Sequence, residues 1–148
     1  MKRKLEATIA GTKVAVEYQP KQHPKYKKLA SAGDVRRLEV AAVVNMITRP
    51  EPLTGEEIRT TRRLLGFDQE TFAELLGLAR RTVIRHENGG DVPVATDFAI
   101  RFLAQVKLAA EGVVVDLKSV ARSHAPRSPH GPHHAILKRA SSNKAKAV

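Results

Sequence analysis

The chain contains no cysteine and no tryptophan, and aromatic residues make up only 4% of it. Without cysteine there is no disulfide framework, no thiolate zinc site and no cysteine nucleophile. The shortage of rings argues against RNA recognition, which stacks bases on exposed aromatics of a sheet. No apolar run approaches the roughly 18 residues of a membrane span. The first thirty residues are basic but lack an apolar stretch and a small-residue cleavage pattern, so a secretory signal is not expected. A cytoplasmic protein without a membrane partner is the expectation. What the chain does have is 42% hydrophobic residues in 148 positions, enough for one compact domain with extensions or two very small ones. It also carries 26 Lys and Arg against 15 Asp and Glu, a net charge of +11. That imbalance makes an acidic partner the first question.

The location of the charge matters more than its total. Residues 1–30 hold eight Lys/Arg and two Glu, and residues 117–148 hold seven Lys/Arg and no acid. The stretch 31–116 holds eleven against thirteen. The middle of the chain therefore cannot attract an anion by bulk charge. It has to place a few cations on one face.

Lys4–Ala10 and Thr12–Tyr18 alternate apolar and polar residues and meet at Ala10-Gly11, which predicts a β-hairpin. Gln19–Ser31, with two Pro and no periodicity, reads as a linker. Asp34 can cap a helix running to about Thr48 with Val35, Leu38, Ala42 and Met46 on one stripe; Arg49-Pro50 ends it. Thr54-Gly-Glu-Glu57 has the capping-box pattern for a helix that Gly66 closes. Asp68 caps a second short helix ending at Gly77, and a third runs from about Ala79 to Asn88 before Gly89-Gly90. A last helix, about Val94–Glu111, shows a stripe of Phe98, Phe102, Val106 and Ala109 widened by Ile100, Leu103 and Ala110. Part of that face is expected to pack on the helix opened by Thr54 and part to meet a second subunit. Val113–Leu117 reads either as a short strand or as frayed helix, and from Ser119 the Ser/Pro/His/Lys-rich composition predicts disorder. The expected organisation is a hairpin and basic linker (1–32), a connecting helix (33–50), a three-helix unit extended by the last helix (53–112) and a basic flexible tail (113–148).

Counted from Gln69 as the first of twenty positions, Ala73 is fifth, Gly77 ninth and Val83 fifteenth. The fifth must be small where two helices cross, and the ninth must take a left-handed turn. The fifteenth is buried between the helices. These are the demands of a helix-turn-helix, and Phe72, Leu76 and Leu78 supply its other inward residues.

With Leu65-Gly-Phe-Asp-Gln-Glu-Thr-Phe-Ala-Glu-Leu-Leu-Gly77 and Arg80-Arg-Thr-Val-Ile-Arg-His-Glu-Asn-Gly89, residues 54–90 resemble the Xre/Cro–cI family of repressors. The phrasing Leu53-Thr-Gly-Glu-Glu-Ile-Arg59, with Asp97 and Arg101 after the motif, looks like the C-terminal half of MqsA-type antitoxins. Those antitoxins carry a cysteine zinc domain first, which this chain lacks, and Leu78-Ala79 stands where the family has a Ser or Thr cap. The resemblance implies a mainly α, Cro/cI-like bundle of about five helices with a small N-terminal hairpin, whose third motif helix enters the major groove of double-stranded DNA. By motif position Arg80, Arg81 and Arg85 fall at base-reading sites, where Arg makes paired hydrogen bonds to guanine; the alternative is that one or two of them hold phosphates. Gln69 falls at a phosphate-contacting helix start, the alternative being a merely tolerated helix residue. Thr82 and Asn88 are further phosphate candidates. Arg62 and Glu87 correspond to a structural ion pair.

His86 stands where the family prefers Trp or Leu, as either a packed histidine or a pH sensor. His124, His130, His133 and His134 lie in the tail, and no metal site or cofactor is expected of them. The basic ends are expected to add salt-sensitive, sequence-independent affinity for DNA, or simply to be solvated. The sequence holds no nucleophile–base set, metal triad or phosphate-cradling glycine loop, so no enzyme is expected. It points to a homodimeric, nucleoid-associated repressor reading a palindrome. The alternative is an antitoxin that binds a toxin through its N-terminal region and represses its own operon.

Overall fold

Alternation of buried and exposed residues organises the N-terminal end. In the computed structural model, which describes residues 2–19, 21–22, 27–29, 31–118 and 120, strands β1 (Arg3–Ile9) and β2 (Thr12–Tyr18) pair antiparallel, with Leu5 opposite Val16 and Ala7 opposite Val14. Ala10 and Gly11 turn the chain with φ of 47° and 77°. Two successive positive φ values give the turn whose twist suits a hairpin, at some strain in the alanine. Two shorter strands, β3 (Lys21–Gln22) and β4 (Lys27–Leu29), also pair antiparallel. The segment read as a linker thus carries strand pairing that its lysines and prolines did not signal.

Among the described residues there are five helices: α1 (Ala32–Thr48), α2 (Gly55–Leu64), α3 (Gln69–Leu76), α4 (Arg80–Glu87) and α5 (Val94–Ala110). The protein is therefore mainly helical with a small N-terminal hairpin. α1 starts earlier than its sequence suggests. Ser31 is the N-cap, its hydroxyl accepting from the Asp34 N–H, while the Asp34 carboxylate accepts from the Ser31 N–H at 3.0 Å. Asp34 is thus the third-residue partner of a capping box, not the cap. Thr54 and Glu57 form the second capping box at α2, as their spacing predicts.

Two hydrophobic clusters hold these elements. In the first, Val14 of β2 joins Leu38, Ala42 and Met46 of α1, Ile58 of α2, Phe72 and Ala73 of α3, Val83 of α4 and Ile100 of α5. The hairpin and the α3–α4 pair therefore share one interior. In the second, Val43 and Ile47 of α1 meet Leu65, Ala104 and Leu108, with Val115, Leu117 and Val120 covering them. Val113–Leu117 is neither strand nor helix, and its buried valine and leucine correct the reading of a flexible tail beginning at 113. Apart from Val120, the stretch read as disordered from Ser119 lies outside the described residues.

The connector 49–54 contains Pro50 and Pro52, so few of its backbone groups can satisfy one another. Arg101 of α5, fully buried, resolves this. Its guanidinium donates to the carbonyl oxygens of Ile47 (3.0 Å), Arg49 and Glu51 (2.5 Å), and pairs with Asp97 at 2.8 Å. The other Asp97 oxygen accepts from the Leu53 N–H at 2.9 Å. At the opposite end, Arg36 of α1 donates to the Leu64 carbonyl and pairs with Glu111, tying the ends of α2 and α5 to α1. No helix of the described residues is long and apolar enough to cross a membrane.

Replacing Arg101 by Ala strands three carbonyls and a buried carboxylate. The expected loss is about 3–5 kcal/mol of unfolding free energy, read from denaturant melts against the native chain.

Candidate functional site

α3 and α4 form a turn-linked pair whose geometry follows from three residues. Asp68 caps α3 by accepting from the Thr71 N–H at 2.7 Å, and the hydrogen bonds from Thr71 hold its carboxyl below the usual carboxylate range. Ala73 is buried in the first cluster, and Gly77 adopts φ 67°, the left-handed conformation that frees the chain to turn. Val83 of α4 is buried in the same cluster as Phe72 and Ala73 of α3. The fifth, ninth and fifteenth positions thus do the work their residue types imply.

α4 begins at Arg80 with Ala79 in the cap position and no side-chain hydrogen bond there, the consequence of the missing Ser or Thr. It ends where Gly89, at φ 93°, lets the N–H groups of Gly89 and Gly90 reach the carbonyls of His86 (3.1 Å) and Arg85 (2.9 Å). Gly90 also lies against the Arg85 side chain: a Cβ there would stand 2.8 Å from Arg85 Cγ. The inner face of α4 is Val83, His86 and Glu87; Arg80, Arg81 and Arg85 are exposed. Arg81 and Arg85, four apart, occupy one face of the helix. None of the three guanidinium groups has a hydrogen bond or ion pair among the described residues, whereas those of Arg59, Arg62 and Arg101 in the same bundle are all paired.

Glu87 fixes this helix in place. Its carboxylate accepts from Arg62 Nε at 2.5 Å and Nη2 at 3.3 Å, and from Gln69 Nε2 at 3.0 Å, with Arg59 Nε 3.7 Å away. Arg62 and Glu87 side chains are 8% and 1% exposed, so the pair is a buried one. Burial pushes the Glu87 carboxyl up, but the Arg62 and Gln69 hydrogen bonds and the neighbouring guanidinium charges outweigh it and leave it below its usual 4.5. Arg62 also donates to the Phe67 carbonyl at 2.9 Å. One carboxylate thereby joins α2, α3 and α4.

The remaining candidates divide. Gln69 gives its side-chain amide N–H to Glu87, so an anion at the start of α3 is left to the backbone N–H groups rather than to that donor. Asn88 Oδ1 accepts from Arg59 Nη2 at 2.8 Å, which leaves the amide nitrogen as the group Asn88 can offer an anion. Thr82 is half-buried. His86 is packed inside at 3% exposure, with Nδ1 lacking a partner among the described residues. The tail histidines lie outside the described residues, and within those residues no cluster of three His, Asp or Glu could hold a metal.

Two contributors were not anticipated. Arg59 has no expected role in the sequence, although its place three residues before Arg62 puts both on one side of α2. Gly55 is the second: a Cβ there would lie 2.6 Å from the carbonyl oxygens of both His86 and Glu87. The N-terminus of α2 thus rests against the C-terminus of α4 with no room for a side chain. Only the oddity of Gly inside a helical start hinted at it.

Because the Glu87 pKa is lowered on folding, its stabilisation is complete above the unfolded value near 4.5 and fades as pH falls through the lower folded value. Thermal melts should therefore show the native chain losing stability below about pH 4.5, and Glu87→Gln, already weakened at neutral pH, responding less to the same titration. No protein family, curated protein or solved structure matches the chain.

Proposed function

We propose that this protein is a sequence-specific double-stranded DNA-binding repressor of Cro/cI-like type, with α4 lying in the major groove. The reading is supported above all by one observation. α4 is anchored on its inner face by Val83, His86 and Glu87 while Arg80, Arg81 and Arg85 stand exposed, their guanidinium groups without partners among the described residues. A rigid helix that spends its acid inward and leaves three guanidinium groups outward suits a polyanion whose bases present paired acceptors. Arg81 and Arg85 read guanine edges, Arg80 reads a base or holds a phosphate, and Asn88 and the first turn of α3 contact the backbone.

The charge distribution agrees with this division of labour. Residues 31–116 are slightly acidic, so affinity there depends on placement, while the basic residues 1–30 and 117–148 add a salt-sensitive attraction to any duplex. A half-site read by one α4 is short, so two copies acting on a palindromic operator complete the recognition.

Selection from random-sequence duplexes, followed by binding titrations, tests the reading. Arg81→Ala and Arg85→Ala should each weaken the selected site by about tenfold to a hundredfold and leave non-specific binding at low salt intact. Equal weakening on every sequence would reduce both residues to phosphate contacts, and absence of duplex binding would end the proposal.

A further inference from the structure

Ile84 is the one apolar residue of α4 left outside the interior. It is half-buried, and it belongs neither to the two hydrophobic clusters nor to the side chains packed against them, whereas Val83 beside it is fully inside. Helical spacing places it among the arginines. Arg80, Ile84 and Asn88 form one row four residues apart, and Arg81 and Arg85 form the row beside it. At 3.6 residues per turn all five fall within an arc of about 140°. Val83, His86 and Glu87 occupy the other side and are buried. An isoleucine thus stands near the middle of the surface from which three guanidinium groups project. A face built only to hold phosphates gains nothing from such a residue, which offers no hydrogen bond and exposes apolar surface to water.

We infer that Ile84 is a specificity-determining residue that packs on the C5-methyl group of a thymine, next to the guanines taken by Arg81 and Arg85. This rests on the reading that α4 enters the major groove. Among the donors and acceptors of that groove, the thymine methyl is the one apolar group. The contact discriminates in both directions. Covering the methyl with an isoleucine takes apolar surface of both away from water. Another base at the same place sets an amino group or a ring acceptor against the isoleucine with no hydrogen-bond partner. Spacing also limits where the thymine falls. Ile84 is one residue from Arg85 and three from Arg81, roughly 1.5 and 4.5 Å along the helix axis, against about 3.4 Å between base pairs. The thymine therefore lies within two base pairs of the guanines. A protein surface matches this face less well, because it has to bring carboxylates for three arginines around an apolar centre. One edge of a duplex carries the guanine acceptors and the methyl side by side.

Replacing that thymine by deoxyuridine in the duplex selected by the native chain removes the methyl and keeps every hydrogen-bonding group. The native chain should bind the deoxyuridine duplex about threefold to tenfold more weakly. Ile84→Ala should bind the thymine duplex more weakly by a similar factor and keep its preference for the guanines. It should no longer distinguish thymine from deoxyuridine. The native arm needs no variant, so it decides the matter even where Ile84→Ala fails to fold. A selected site with no constant thymine within two base pairs of the guanines overturns the inference, as does a native chain indifferent to the methyl. So does an Ile84→Ala chain that still senses the methyl, which assigns the contact to another residue. Unchanged duplex affinity of that variant also overturns it and returns Ile84 to solvent or to a protein contact. In each of these cases a selected duplex is still bound and the repressor reading stands; if no duplex is selected, both fall.

Discussion

The carboxylate of Glu87 is the fixed point of this structure. Buried beneath Arg62 and touched by Gln69, it binds the ends of three short helices to one another. Helices of eight to ten residues have little stability of their own, so their mutual orientation has to come from contacts of this kind. A buried ion pair adds little net free energy over a well-packed apolar substitute, but it admits only a narrow set of arrangements. Direction, more than stability, is what it provides to α4. Gly55 sharpens the same constraint by letting the start of α2 rest on the last carbonyls of α4.

Arg101 does for the connector what Glu87 does for the helix pair. The two prolines of 49–54 keep that stretch from forming regular structure, and a single guanidinium gathers its carbonyls instead. The planar fork of Arg, with several donors and no need to lose its charge, is suited to that task in a way Lys is not. α1 and α5 are therefore held in register with the connector and α2 by polar contacts within an apolar surround, and Arg36 repeats the device at their far ends.

Local patterns were readable wherever one residue decides one backbone feature. Thr54 with Glu57, Asp68, Gly77 and Gly89 each announced a helix boundary, and the spacing of Ala73, Gly77 and Val83 announced the turn between α3 and α4. Misreadings came where two residue types could fill one role. Ser31 and Asp34 both suit an N-cap, and the hydroxyl takes it because the carboxylate is needed at the third position. On α5 the apolar residues run almost all the way round, so periodicity could not tell the inner stripe from the outer one; the buried Arg101 beside Ile100 marks the inner side. Gln69 shows the limit for the candidate site. Its place in the motif was legible, but its amide partner comes from a residue eighteen positions away.

The shared interior of hairpin and helices has a practical meaning. Val14 of β2 belongs to the same buried cluster as Leu38, Ala42 and Met46 of α1, Phe72 of α3 and Val83 of α4. The N-terminal strands are thus a wall of the building rather than a porch. Trimming them would uncover the rooms behind, so any molecule that grasps the hairpin holds the same folding unit that displays α4.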